Sequence, residues 1–488
     1  MNIKKWIAAG CLLLAFVRLP GQSSTNSYKE QYRPQLHFSP QQHWINDPNG
    51  MVFFKGTYHL FFQYYPYGIT WGPMHWGHAI SKDMVHWKEL PIALYPDSLG
   101  FIFSGSAVVD SNNTSGFGSK GKTPLVAIFT HHDPKGEKAG KENFQNQSLA
   151  YSLDGGYSWT KYTGNPVLKN PGIRDFRDPK VIWYPTKKKW VMTLATKDRI
   201  TFYSSPNLKE WKKESEFGKR IGAHNGVWEC PDLFTLRLNG KIYWILTVNL
   251  NPGGPNGGSA TQYFVGKFDG STFTPISDVT KWVDYGPDEY AGVTWSNTGS
   301  RKIFLGWMTN WDYASQVPTE KWRNAMTIPR ELALTEIDGQ IRLTSNPVTE
   351  LMKLAQPAMD VASGFAKLPG QYILKFDKPK AENYQIILSN GQGEQLVIGC
   401  DKKGYYINRS RSGKVNFNPG FAKIAVAPRF ANAKSRDIKL VVDRSSVELF
   451  ADGGATIMTG IFFPSRPYNR IELKSIKQVR ITPLRSIW

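Results

Sequence analysis

Three carboxylic acids occupy settings where an ordinary surface charge would be poorly placed: Asp47 in "WINDPNG", Asp178 in "FRDPKV" and Glu229 in "WECPDLF". Each opens an apolar, strand-like run and is hemmed in by bulky or rigid neighbours. Singly, each has a plain structural reading. Asp-Pro-Asn-Gly makes a good turn, Asp178 can pair with Arg177 or Lys180, and Glu229 can be a satisfied edge residue. Jointly they form the set that cleavage of a sugar acetal requires. One acid protonates the leaving oxygen and a second carboxylate attacks or supports the cationic ring, the two standing about 5 to 5.5 Å apart when configuration is retained. Glu229 is the better acid, because Trp228 and Pro231 can desolvate it and the other carboxylates disfavour its ionised form. Asp47, on a turn among amide donors, is expected to stay ionised and nucleophilic. The chain also carries 17 Trp, 22 Tyr and 27 Phe, enough to line a sugar site with rings even if most of them are core.

Residues 47, 178 and 229 can meet only if the elements that carry them are equivalent parts of one repeating architecture. From about residue 44, short β-branched and aromatic runs alternate with Gly, Pro, Asn and Asp clusters, and long amphipathic helices are missing. "MVFFKGTYHLFFQYY" reads as a hairpin around Lys55 and Gly56, and "KVIWYPTKKKWVMTLAT" and "DLFTLRLNGKIYWILTVN" repeat the form. A Ser-x-Asp/Asn unit followed by tryptophan recurs at Ser81, Asp83 and Trp87, at Ser152, Asp154 and Trp159, and at Ser205, Asn207 and Trp211. One tryptophan-bearing outer strand per sheet is the mark of a β-propeller, whose innermost strands start near a common axis. The propeller is expected over residues 30–342. A short helical linker, "LTSNPVTELMKLAQP", then leads to a β-sandwich over residues 355–488.

Residues 1–24 read as a signal peptide, with Lys4 and Lys5 ahead of an apolar stretch too short for a comfortable membrane span. An exported protein, periplasmic or extracellular, is therefore expected. Cys11 falls in that leader, so only Cys230 and Cys400 remain and no disulfide framework stabilises the fold. The net charge of +21 would suit an anionic partner, but the lysines are scattered through loops without a nucleic-acid motif. Neither nucleic acid nor a membrane span is expected. His75 with His78, and His131 with His132 and Asp133, raise the idea of a metal. Histidines three apart on a strand face opposite sides, so no metal and no cofactor is expected.

With these motifs in order, and with "FQYYPYGITWGPMHWGHAISKDMVHW", "FSGSAVVD", "GWMTNWDY", "WRNAMTIPREL" and "VDRSSVELFADGG", the chain resembles the invertases, inulinases, levanases and fructan exohydrolases of glycoside hydrolase family thirty-two. The resemblance spans nearly the whole mature chain. It implies a five-bladed β-propeller followed by a C-terminal β-sandwich, and retaining release of terminal β-fructofuranosyl residues from levan, inulin or sucrose. By the same resemblance Asp47 is the nucleophile, Glu229 the acid/base and Asp178 the transition-state stabiliser. Asn46, Gln63, Trp71, Phe103, Ser104, Arg177 and Trp311 form the fructose-binding wall, and Cys230 tunes the neighbouring acid. Arg177 needs a partner in such a site, and Asp178 is the expected one.

One stretch departs from the pattern: Asp288-Glu289-Tyr290-Ala291 stands where relatives carry Asp-Phe-Tyr-Ala, so Glu289 either points outward or alters the rim. "NPGGPNGGSATQYFVGKFDG" resembles exo-acting inulinases and levanases more than sucrose-specific invertases. Rival readings are an endo-levanase or an arabinofuranosidase-like enzyme on the same scaffold, and a non-catalytic fructan-binding protein. The sandwich is expected either to buttress the propeller or to pair two copies as a homodimer.

Overall fold

The structure, a computed structural model, describes residues 28–119 and 121–488; the expected leader and its cysteine lie outside the described residues. Between His43 and Pro347 five sheets follow one another, opened by the strands His43–Phe54, Phe101–Val109, Phe176–Tyr184, Val227–Leu238 and Tyr290–Thr294. These opening strands pack on one another in a closed ring, His43–Phe54 touching both Phe101–Val109 and Tyr290–Thr294. The two-residue strand Trp322–Arg323 adds in parallel to the start of His43–Phe54, tying the fifth sheet's segment to the first. The protein is a β-propeller followed by a β-sandwich.

Local chemistry accounts for the repeat. The hairpins turn at Lys55-Gly56 and Asn239-Gly240, where both residues of each pair take positive φ, as a two-residue hairpin demands. Ser81, Ser152 and Ser205 each end the third strand of their sheet. Asp83, Asp154 and Asn207 then cap the turn to the fourth strand, each accepting two backbone N–H groups from the residues that follow. The recurring tryptophans stand at the entry to that outer strand. Of the expected linker, residues 343–347 instead complete the strand Gln340–Pro347 of the fifth sheet, and only Thr349–Leu354 forms a helical, 3₁₀ turn.

The sandwich pairs a six-stranded with a five-stranded sheet around a core that includes Leu374, Ile386, Leu440, Leu449 and Ile481. It is packed against the propeller through a second apolar cluster, with Leu36, Val85, Ile328 and Leu354 facing Ile373, Val441 and Ile457. Buried ion pairs cross the same contact. Arg330, held within the propeller by Asp284 at 2.9 Å, reaches Glu448 of the sandwich, and Arg409 of the sandwich meets Asp288 of the propeller at 2.5 Å.

Candidate active site

All five ring strands break register at the same height. The irregularities fall between Ile45 and Pro48, Ile102 and Gly105, Arg177 and Lys180, Glu229 and Asp232, and Tyr290 and Val293. A bulge leaves one residue unpaired and re-aims its side chain, so a ring of bulges turns side chains from five strands into one axial well. Asp47, Ser104, Asp178 and Cys230 lie within four of these bulges, Glu229 borders the last of the four, and Asp178, Cys230 and Ala291 take positive φ there.

The well has a volume of about 320 Å³ and is lined by Asn46, Asp47, Gln63, Trp71, Phe103, Ser104, Arg177, Asp178, Glu229 and Trp311. Every expected site residue except Cys230 is in that lining. Asp47 accepts the Ser104 hydroxyl at 2.5 Å and the Asn46 amide at 3.0 Å. Asn46 is itself held by the Trp44 indole N–H at 2.9 Å. Burial pushes the Asp47 carboxyl up from its ordinary range, with the Glu229 charge adding to the rise, against the hydrogen bonds from Ser104 and Asn46. Asp178 is also raised, first by burial and further by Glu229 and Asp47, with Arg177 opposing. It accepts the Cys230 backbone N–H at 3.0 Å.

The surroundings of Arg177, Cys230 and Glu229 differ from those expected. Arg177 pairs with Glu229 through Nε and Nη2 at 3.1 and 3.0 Å and with Asp175 at 2.6 Å, whereas Asp178 is 3.9 Å away. The left-handed backbone at Asp178 swings its side chain off the neighbouring guanidinium. The Cys230 thiol lies 3.4 Å from Asp47 and 3.6 Å from Asp178, so its direct contacts are to those two carboxyls rather than to the adjacent Glu229. Trp228, expected to desolvate Glu229, turns to the core instead, donating to the Ala223 carbonyl at 2.8 Å and packing beside Phe264. What surrounds the Glu229 carboxyl is Arg177 on Oε1 and the Tyr290 hydroxyl, which donates to Oε2.

Tyr290, Asp175, His132 and Gln145 belong to the site and were missed. His132 stacks on Phe103 with ring centroids 4.2 Å apart, and Gln145 accepts the Phe176 N–H at 2.9 Å and meets Arg177 at 3.4 Å. The neighbouring "FRDPKV" could have signalled Asp175, one residue upstream of it; Gln145 and His132 sit in plain strand sequence. Glu289 neither points outward nor reaches the rim. It is 1% exposed, with neither oxygen hydrogen-bonded, in space left by Gly292 and Gly306, where an added Cβ would lie 2.5 and 2.4 Å from its Oε1. The candidate metal histidines are engaged separately: His78 with His59 at 3.1 Å, His75 with the Pro73 carbonyl, His131 with Ser148 and His132 with Glu137.

The carboxyls of Asp47, Asp178 and Glu229, with those of Asp175 and Glu137 and the Arg177 guanidinium in the same lining, can give and take a proton and stabilise a cationic centre. Residues 37–347 match the glycosyl hydrolases family 32 N-terminal domain and residues 340–487 the family 32 C-terminal domain. The chain belongs to glycosyl hydrolase family 32. As a family 32 protein it is a glycoside hydrolase, 44% identical over 511 residues to a levanase of Bacillus subtilis, a match covering 98% of this chain and 74% of that one. It is 42% identical to the extracellular exo-inulinase of Aspergillus niger, over 92% of each chain. The crystal structure of the exo-inulinase from Aspergillus awamori superposes with a TM-score of 0.87 at 39% identity, covering 94% of this chain and all of the other. Among the described residues no helix is long and apolar enough to cross a membrane.

Proposed function

We propose that this family 32 hydrolase is an exported, retaining exo-β-fructosidase that removes terminal β-D-fructofuranosyl residues from levan or inulin and from sucrose. The observation that carries the reading is the convergence of Asp47, Asp178 and Glu229 on one well of about 320 Å³, large enough for a single five-membered sugar ring and its hydroxyls. Glu229 protonates the glycosidic oxygen while Asp47 attacks the anomeric carbon, giving a fructosyl ester on Asp47. Glu229, now ionised, takes a proton from water, which attacks the same carbon and releases fructose and free Asp47. Arg177 and Tyr290 fix the Glu229 carboxyl for both proton transfers. Positive charge develops on the ring in each transition state, and the paired Asp47 and Asp178 carboxyls favour that charge more than the neutral substrate.

Residues 1–24 are read as the leader, residues 30–342 as the five-bladed catalytic propeller and residues 355–488 as the sandwich that supports it. The names of the relatives, levanase and extracellular exo-inulinase, favour a polymer substrate met outside the cytoplasm. Product chromatography over time on levan, inulin and sucrose tests the reading. Fructose as the sole early product is expected, and early oligosaccharides would make the enzyme endo-acting. Glu229→Gln is expected to lower turnover by roughly 10² to 10⁴-fold; near-normal turnover would remove Glu229 from its role.

A further inference from the structure

Among the described residues four Phe, Tyr or Trp side chains stand out as exposed: Tyr67 at 74%, Tyr157 at 55%, Tyr95 at 52% and Trp71 at 42%. Three of the four lie along one strip of the surface that begins at the wall of the well, with the Gly72 backbone bridging Trp71 to a run of touching rings. Trp71 lines the well and meets Phe103 edge-on at 6.1 Å. Its neighbour Gly72 sits on the face of Tyr65, where a Cβ would be 2.7 Å from the ring. Tyr65 meets Tyr67 at 5.8 Å, Tyr67 meets His75 at 5.9 Å, and His75 meets Tyr95 at 5.5 Å, each edge-on. Neither Tyr67 nor Tyr95 lines the well.

We propose that this aromatic ledge is a second carbohydrate site, which holds the part of a β-fructan chain that trails out of the well. The inference rests on the exo-fructosidase reading and extends it from the terminal residue to the polymer. A terminal sugar seated in a well leaves the rest of its chain to cross the rim, and the ledge begins at the rim. Stacking on exposed rings suits a neutral polymer whose sugars present apolar C–H faces. The rings themselves carry no fixed charge, the Lys161 ammonium beside Tyr95 is paired with Asp97, and burial, with the Lys161 charge adding to it, lowers the pKa of His75 and so disfavours its cationic form. The backbone beneath is braced, which limits the entropy lost on binding. His75 Nδ1 lies 2.9 Å from the Pro73 carbonyl, and Lys161 donates to the Tyr95 carbonyl while pairing with Asp97 at 2.6 Å. Holding one stretch of a chain beside the well also raises the effective concentration of its end there.

The test is the double variant Tyr67→Ala, Tyr95→Ala, assayed on levan, inulin and sucrose. KM for the polymers is expected to rise about fivefold or more with kcat little changed, given what an aromatic contact contributes. Sucrose, too short to reach the ledge, is expected to keep its kcat and KM. The double variant Tyr67→Phe, Tyr95→Phe is expected to restore the polymer KM, because the ring and not the hydroxyl does the stacking. Unchanged polymer KM in the Ala variant overturns the proposal, as does equal loss on polymer and sucrose. Electrophoresis through a gel containing levan reads the ledge without turnover. Retardation of Glu229→Gln that is lost when both tyrosines become alanine supports the site, and no retardation of Glu229→Gln overturns it. A protein that releases no fructose yet is retarded through these tyrosines would defeat the exo-fructosidase reading and leave the ledge standing.

Discussion

Ser104 is the residue through which the nucleophile's charge is most directly held. Its hydroxyl donates to Asp47 at 2.5 Å, and this contact works against the burial that drives the Asp47 carboxyl upward. A donor to a carboxylate stabilises the ionised form, so Ser104→Ala raises the Asp47 pKa further. The nucleophile must be ionised to attack, so the acidic limb of kcat/KM is expected to move to higher pH by roughly one unit. A pH–rate profile on sucrose checks it, and a uniform drop at all pH would mean that Ser104 only binds sugar. At this scale much was legible, because Asp47, Asp178 and Glu229 carry Trp, Pro or Arg neighbours that few surface acids have. Tyr290 and Gln145 were not, since each sits in ordinary strand sequence and gains its meaning from a partner 61 or 32 residues away. The pairing of Arg177 was misread for a related reason: adjacency in sequence says little where the backbone turns left-handed.

The five register breaks are the element-scale device that builds the well, and they were only partly readable. Pro48, Pro179 and Pro231 interrupt three of the ring strands, and a proline inside a strand signals a bulge. The breaks at Phe103-Ser104 and Ala291-Gly292 carry no such mark. Gly105 closes the break at Phe103-Ser104, and a Cβ there would come within 2.1 Å of the Ile128 carbonyl oxygen on the paired strand. Backbone cannot yield as a side-chain tip does, so Gly105→Ala is expected to cost about 1–3 kcal/mol and to shift Ser104 off Asp47. Gly56 offers the contrast. It has φ of +74° at a hairpin tip with nothing within 4 Å, so Gly56→Ala is expected to cost about 1 kcal/mol of backbone strain alone. Urea unfolding and sucrose turnover together check the pair: both readouts fall for Gly105→Ala, and stability alone falls for Gly56→Ala. Turnover lost equally in both would mean that the bulge has no special hold on the site.

The molecule as a whole is pinned by charges buried between propeller and sandwich; "WRNAMTIPREL" and "VDRSSVELFADGG" carry several of them, but nothing in those motifs showed that they meet. Arg330 and Glu448 lie 118 residues apart, and each looks like one more polar residue in an alternating strand. His37 joins the same network, with Nδ1 2.8 Å from Asp443 and Nε2 2.8 Å from Glu448. Burial works to lower its pKa, but the two carboxylates outweigh it and raise His37 to about 9. A folded pKa above the unfolded value of about 6.5 means stability that is complete below pH 6.5 and is lost as pH rises toward 9. The loss is on the order of 3 kcal/mol. Glu289 acts in the same direction over a lower range. Burial first, and then Asp284, push it up to about 8 against the pull of Arg330, so it contributes stability below about pH 4.5 that is lost as pH rises through 8. The wild-type urea midpoint is therefore expected to decline from mildly acidic pH to pH 9. Glu289→Gln removes a titrating group without changing its shape, and its midpoint is expected to decline less steeply between pH 5 and 8, while keeping the His37 fall that runs from pH 6.5 toward 9. A wild-type midpoint that stays level from pH 5 to 9 would mean that neither group holds its proton in the folded state, and that the His37 contacts to Asp443 and Glu448 add no charge-dependent stability to the joint between the two β-domains.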